Sequence, residues 1–362
     1  MHKSGGPNVL WMTNLPAPYR FPVWDRMAES VNLHVVFILK RHNWRNWPEP
    51  SAKKWRHSYL SLNSIRIKEH DFIPSFRGSS KILRDVDIVI VGGWENIVFI
   101  RTILLAKKRG IPVIQFYEST DASQKYSKGL IARIRKWIFQ RPNFFITISH
   151  ASASTLKRME VYSKNIVVLF NPVDVSWFYQ RAQKSRKIQG HGHQFLYVGQ
   201  LIERKNIANV IRAFSEIRED QDELTIAGDG PLRRQLQELS SANGLQNSVH
   251  FVGHKSEEQV AELYAKSNTL VLASTNEVWG LVVNEALASG LHVVVSGNCG
   301  VAEFAKQMAG TYICSTNLAS IKEAMLESSR DWKGHLQEPE ILQFTPEKFA
   351  DQIIHLITQK IC

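Results

Sequence analysis

The sequence predicts an α/β protein of two doubly wound, Rossmann-like domains facing a central cleft, and three observations predict it. Short apolar strands alternate with helix-length stretches twice over, once in each half of the chain, the pattern of a parallel sheet covered by helices on both faces. The 362 residues, 44% of them apolar, suffice for two separate cores. Between the halves, Ser176 to Gln194 is rich in Lys, Arg, Gln and Gly and shows no apolar period, so it reads as a linker.

In the first half the strands are Val9 to Met12, Leu33 to Leu39, Asp87 to Val91, Val113 to Tyr117 and Phe144 to Ile148, with Asn96 to Arg109 as a helix among them. In the second they are Phe195 to Val198, Leu224 to Ala227, Val249 to Val252, Leu270 to Ala273 and His292 to Ser296. The domains are therefore 1–175 and 195–345, joined by 176–194. In such sheets ligands bind beyond the carboxyl ends of the strands, which puts two substrates in the cleft.

Apolar runs such as Val31 to Leu39 and Val293 to Val295 are far shorter than the roughly 20 residues of a membrane span. Met1 to Pro7 lacks the apolar core of a secretory signal. Cys299, Cys314 and Cys362 are odd in number without paired spacing, so reduced thiols of a cytoplasmic protein are expected. No metal site is expected. The pairs Asp85/Asp87 and Asp220/Asp222 stand at or just before strand starts, on the amino edge of a sheet and away from the ligands.

The net charge of +12 is uneven: residues 1–175 hold 27 Lys and Arg against 12 Asp and Glu, the remainder 18 against 21. A basic first half suits an anionic partner: nucleic acid, a phospholipid surface or a phosphorylated acceptor. Two segments mix cations with apolar groups. One runs from Lys40 through Trp44 and Trp47 to Pro48 and on through Trp55 to His57; the other is Lys128 to Phe139. As a helix the second puts Leu130, Ile131, Ile134, Trp137 and Ile138 on one face, with Lys128, Arg135 and Lys136 opposite. Such a segment suits the headgroup layer of an anionic membrane, or equally a sheet-covering helix with a solvated basic face.

Glu277 and Glu285, with seven residues between them, follow the apolar run Thr269 to Ser274. Glu277 thus falls on the turn leaving a buried strand and Glu285 on the next helix, two carboxylates at different depths of one groove. Trp279, Gly280 and Leu281 would start that helix, where free N–H groups and the positive dipole end favour a phosphate. Arg204 and Lys205, after the strand Phe195 to Val198, are adjacent cations within reach of a diphosphate. In the first half, Tyr19 and Arg20 lie on a loop carrying Pro16, Pro18 and Pro22, with no Gly-x-Gly-x-x-Gly, so a dinucleotide oxidoreductase is not indicated. Glu118 follows the strand Val113 to Tyr117 and is either a proton acceptor or an N-cap or ion-paired residue. Trp94, after Gly92 and Gly93, either stacks on a sugar or packs in the core.

The stretch from Asn276 to Gly290 resembles the signature of the family-4 retaining glycosyltransferases. Phe195 to Asn206, Leu224 to Pro231, and Asn171 to Asp174 with Phe178 are similar to three further motifs of that family, in its order. The resemblance implies the GT-B fold, with a last helix (346–362) crossing back to the first domain. It also implies a metal-independent, retaining hexosyl transfer from a nucleotide-diphosphate sugar, with no further cofactor. On it, Glu285 binds the ribose, Glu277 the transferred sugar, and Lys205 with Arg204 the diphosphate. Tyr19, Arg20 and Trp94 go to the acceptor, and Glu118 stands where many members have a histidine. Gln200 stands where they commonly have an arginine. The acceptor expected is a lipid-linked saccharide in surface-polysaccharide assembly, met at the inner face of the cell membrane. A sugar-nucleotide epimerase of the same fold and a basic nucleic-acid binder are the alternatives; no nucleic-acid module is apparent, so none is expected as partner.

Overall fold

The computed structural model describes residues 5–39, 50, 54–60, 65–67, 70–72, 79–120, 129–186 and 192–360. Two units divide the chain, Met1–Phe170 with Pro346–Cys362, and Asn171–Thr345.

The strands of the first unit are β1 (Asn8–Thr13), β2 (Asn32–Phe37), β3 (Arg56–Tyr59), β4 (Ile65–Ile67), β5 (His70–Phe72), β6 (Ile88–Val91), β7 (Val113–Phe116), β8 (Phe144–Thr147) and β9 (Ile166–Val168). Its helices are α1 (Phe21–Met27), α2 (Ser79–Ile82), α3 (Ile97–Lys108), α4 (Leu130–Phe139) and α5 (His150–Arg158). Seven strands form one parallel sheet in the order β3-β2-β1-β6-β7-β8-β9, while β4 and β5 pair as an antiparallel hairpin. Alternate residues of β1 enter opposite cores. Val9 and Trp11 join Trp24, Phe37 and Ile90 on one face; Leu10 and Met12 join Val91, Phe99 and Phe145 on the other.

In the second unit β10 (Gln194–Val198), β11 (Glu223–Ala227), β12 (Val249–Gly253), β13 (Thr269–Leu272), β14 (His292–Ser296) and β15 (Thr311–Cys314) form a parallel sheet ordered β12-β11-β10-β13-β14-β15. Its helices are α6 (Val175–Ser185), α7 (Ile207–Ile217), α8 (Arg233–Ala242), α9 (Glu257–Lys266), α10 (Leu281–Ala288), α11 (Ala302–Ala305) and α12 (Leu318–Arg330). The last helix, α13 (Pro346–Lys360), belongs to the first unit, where Phe349, Ala350, Ile353, Leu356 and Ile357 are buried with Trp11 and Trp24. Arg26 Nε donates to Asp351 Oδ1 on it at 2.8 Å.

Several expectations are corrected here. The linker reading of Ser176 to Gln194 fails for its first half: Val175–Ser185 is a helix with Asp174 as N-cap, its side chain accepting from Trp177 N at 2.9 Å. Val175, Phe178 and Ala182, at helical spacing among the polar residues, are its buried face, and α6 packs on α9 and α10. Residues 187–191 lie outside those described. Trp55, expected at a membrane, is buried among Trp24, Phe21 and Phe37. Trp44, Trp47, Lys128 and Cys362 lie outside the described residues. In α4 Arg135, expected on the basic face with Lys136, is 5% exposed and faces inward, and Ile138, expected with the apolar stripe, is buried beside it. The Arg135 guanidinium lies 5.2 Å from the centre of the Trp94 ring, a cation–π contact that suits a desolvated arginine.

One carboxylate of each Asp pair serves the backbone. Asp87 Oδ2 accepts from Asn8 N at 2.7 Å, and Asp222 Oδ1 from His193 N at 2.6 Å. Cys299 and Cys314 are buried free thiols. Among the described residues no helix is long and apolar enough to cross a membrane.

Candidate functional site

Strand order reverses in the second sheet between β10 and β13, and loops diverging from such a switch point open a crevice at the carboxyl ends of the strands. The loops after β10, β11 and β13 meet there. Gly228 has φ +143°, and a Cβ on it would sit 1.8 Å from the Gly199 carbonyl oxygen; one on Gly230 would sit 2.4 Å from that of Leu201. Only glycines allow this approach. Leu201 N donates to Asp229 O at 3.0 Å and Gly199 N to Ala227 O at 2.9 Å, locking the two loops together.

The β10 loop ends in a short turn, Glu203–Lys205, and then Asn206, whose φ is +57°. Asn206 Nδ2 donates to Ala273 O at 3.1 Å and Thr316 O at 2.9 Å, and Thr275 N donates to Arg204 O at 2.8 Å, tying this loop to the one after β13. Lys205 is buried, and its Nζ donates to Glu277 Oε2. Arg204, half exposed, donates through Nη1 to the same oxygen at 2.8 Å and to Asn276 O at 3.2 Å. The Glu277 backbone is held by its own N–H to Asn298 O at 3.2 Å and by Gly300 N to its carbonyl at 3.0 Å. Two cations on one carboxylate oxygen form a preorganised charge-assisted cluster. It stands just ahead of α10, whose N-cap Gly280 adopts φ +101°.

Glu285 sits one turn into α10, half-buried. Tyr264 OH, on α9, donates to its Oε2 at 2.8 Å. Burial pushes the carboxyl up to about 7; the Tyr264 bond acts against that rise and the charge of Glu257 adds to it. Burial and the neighbouring Glu285 in turn hold the Tyr264 phenol well above its ordinary range.

Trp279, expected at the helix start, directly precedes the N-cap Gly280 of α10. Its side chain is buried against Phe304, ring centroids 5.3 Å apart, and its Nε1 donates to Asn284 Oδ1 at 3.2 Å. Asn284 Nδ2 donates on to Asn171 O at 2.8 Å, so Trp279 and Asn284 position the start of α10 from within. Leu281 is the first residue of α10 and is half-buried. Sequence reasoning missed Tyr264, Asn284 and the anchoring role of Asn206. Asn284 and Asn206 lay inside motifs already singled out, but nothing local marks Tyr264, which reaches Glu285 because α9 and α10 both pack on α6.

In the first unit the structure brings together Arg20, after β1, and Glu118, after β7. Arg20 Nη2 donates to Glu118 Oε1 at 3.4 Å. The buried guanidinium lies 5.2 Å from the ring centre of Tyr19, 5.5 Å from that of Phe116 and 5.1 Å from that of Phe349. Glu118 thus has the ion-paired role that was one of its readings, and its carboxylate remains partly open to solvent. Trp94, half-buried, packs edge-on against Phe139 and carries Arg135 over its ring, contacts that accord with the core role of its two readings. Among the described residues no group of three His, Cys, Asp or Glu is placed to hold a metal ion.

Comparison with known proteins covers both halves. Residues 29–177 match the model of "Glycosyltransferase Family 4", and residues 179–338 that of "Glycosyl transferases group 1". An uncharacterized glycosyltransferase of Methanocaldococcus jannaschii is 31% identical over 163 residues, 44% of this chain and 42% of that one. The alpha-monoglucosyldiacylglycerol synthase of Streptococcus pneumoniae is 29% identical over 171 residues, 46% of this chain and 38% of that one. The matched region thus spans less than half the length of each of these relatives. In fold, HepE of Anabaena, solved in complex with UDP and glucose, superposes with a TM-score of 0.70 at 14% identity, over 98% of this chain and 100% of that one. With both halves matched in sequence order and two parallel, doubly wound units in place, the chain belongs to the family-4 type of glycosyltransferases and has the GT-B fold.

Proposed function

We propose that the protein is a retaining, metal-independent hexosyltransferase. It moves a sugar from a nucleotide-diphosphate donor to a lipid-linked saccharide or glycolipid in surface-polysaccharide assembly, working peripherally at a membrane. The observation that carries this reading is the cluster of Lys205 and Arg204 on one oxygen of Glu277, at a switch point and before a helix start. A diphosphate competes with Glu277 for the two cations. As it takes them, the carboxylate is released to accept hydroxyls of the transferred sugar, so one cluster serves both parts of the donor. Glu285 accepts the ribose hydroxyls, and the first N–H groups of α10 face the phosphates.

No side chain is assigned as a covalent nucleophile. The acceptor hydroxyl attacks on the face the diphosphate leaves; the departing phosphate oxygen takes its proton, and Lys205 and Arg204 neutralise the charge that develops. On the first unit, Glu118, steadied by Arg20 with Tyr19 beside it, orients the acceptor hydroxyl. Support for a lipid acceptor comes from the basic first half and from the glycolipid named in the Streptococcus relative. The test is incubation with a panel of labelled sugar nucleotides and lipid-linked acceptors. Transfer with retained anomeric configuration is expected. Recovery of an epimerised sugar nucleotide would favour an epimerase, and no turnover with nucleic-acid binding would favour the other alternative.

Two further results are expected. Transfer survives exhaustive chelation, because Lys205, Arg204 and the start of α10 supply the positive charge at the diphosphate. Activity lost with EDTA and restored by magnesium or manganese would sink this site chemistry. The second concerns pH. With Glu285 protonated below about 7, one of its oxygens is a donor and the ribose loses an acceptor. Affinity for an intact sugar nucleotide, whose diphosphate diester does not titrate near neutrality, should therefore fall as pH drops through 7, by up to about tenfold per pH unit. Glu285→Gln removes that dependence along with much of the affinity. A wild-type affinity flat from pH 5.5 to 8 would take Glu285 out of the ribose site.

A further inference from the structure

Helix α4 turns its apolar stripe outward. Leu130, Ile131, Ile134 and Trp137 are 70, 41, 45 and 50% exposed, four of the seven exposed large hydrophobic side chains among the described residues. Their spacing of i, i+1, i+4 and i+7 puts them on one face, so they form a patch and not a scatter, and such patches mark interaction sites. The opposite face already has its partners. Arg135, Ile138 and Phe139 point inward, Phe139 against Tyr117 and Phe145, and Arg135 over Trp94. This helix therefore has an apolar side to spare.

Its surroundings are cationic. Residues 129–162 carry six Arg and Lys against a single Glu. Arg133 is exposed, Lys136 Nζ lies 2.5 Å from Glu160 Oε1, and the Arg141 guanidinium lies 3.6 Å from the centre of the Trp137 ring. Tyr162, exposed, lies on the segment that Gln140 Nε2 ties to the end of α4 through Met159 O at 3.0 Å. An apolar stripe with an indole at its end, a guanidinium stacked on that indole and cations along its rim matches the layering of acyl chain, carbonyl belt and phosphate in a lipid surface.

We propose that α4 is a membrane-docking face: Leu130, Ile131, Ile134 and Trp137 enter the boundary between acyl chains and headgroups of an anionic bilayer. Arg133, Lys136 and Arg141 meet the lipid phosphates. The proposal deepens the reading of a membrane-associated acceptor, but its test needs neither donor nor acceptor. Arg135 takes no part, being buried, and a carboxylate in its place would disrupt α4 instead of reporting on lipid.

The full chain is floated with vesicles of phosphatidylglycerol in phosphatidylcholine, and with phosphatidylcholine alone, at low and high salt. Nucleotide binding and far-UV circular dichroism are measured on the same samples. Wild-type protein should bind the anionic vesicles and release with salt. Replacing Leu130, Ile131, Ile134 and Trp137 together by Ser should lower partitioning at least about tenfold, with nucleotide binding unchanged. Arg133→Glu should weaken binding mainly at low salt. Absence of wild-type binding at low salt, or undiminished binding by the serine variant, overturns the proposal. So does a serine variant that binds vesicles normally but changes from dimer to monomer, which would give the stripe to a second copy of the chain. Docking without any sugar transfer would leave the face standing and count against the enzymatic reading alone.

Discussion

Lys205→Ala should lower transfer by about two to three decades, the loss typical when one preorganised charge at a developing oxyanion is removed. The same change should weaken nucleotide binding by roughly 1.5–3 kcal/mol, about one to two decades. The unit should stay folded: Arg204 still pairs with Glu277 at 2.8 Å, so no carboxylate is stranded. Lys205→Arg is the informative companion. It keeps the charge, but a planar fork must enter a buried site shaped for a slender ammonium, so it should recover part of the binding and little of the rate. Single-turnover kinetics with calorimetry on the cognate nucleotide separate the two effects. Unchanged affinity and rate in Lys205→Ala would remove the cluster from the donor site.

Gly228→Ala should destabilise the second unit by on the order of 3 kcal/mol or more, lowering its melting temperature by roughly 6–12 °C. The added methyl would sit 1.8 Å from the Gly199 carbonyl oxygen, on a residue with φ +143°. Neither the clash nor the dihedral can relax without separating the loops after β10 and β11, and with them the turn that carries Lys205. Gly244→Ala is the control, because Gly244 has φ +68° but no atom within 4 Å of its would-be Cβ. It should cost only the left-handed backbone, about 1 kcal/mol. Denaturant or thermal unfolding of the two variants decides the matter; equal losses would mean that the loop contact adds nothing to the backbone strain.

The central strands were legible because a parallel strand buried on both faces is an uninterrupted apolar run, as in Ile88–Val91, Thr269–Leu272 and His292–Ser296. Of the edge strands Val249–Gly253 was legible, whereas Arg56–Tyr59, Ile166–Val168 and Thr311–Cys314, which are only partly buried, were not. Glu277, Glu285, Arg204 and Lys205 could be selected from motif spacing, yet spacing was silent on how they are arranged. That both cations would converge on one oxygen of Glu277 depends on the loops after β10 and β13 meeting at the switch point. Trp279 could be placed at a helix start, but the contacts of its ring, with Asn284 and Phe304, come from the packing.

Helix α4 shows where the division falls. The sequence by itself determined that 130–139 is an amphipathic helix and that 362 residues fold as two doubly wound units, because periodicity and strand composition are properties of single segments. Which face of α4 lies inward was decided only by the tertiary structure. Trp94 offers the Arg135 guanidinium an aromatic seat, which leaves Leu130, Ile131, Ile134 and Trp137 in solvent. Arg20 with Glu118, and Tyr264 with Glu285, are likewise partners from distant segments. The physical reason is the same in each case: an amphipathic or charged segment states what it can satisfy, and the surfaces brought to it by the rest of the chain settle which of its faces is satisfied.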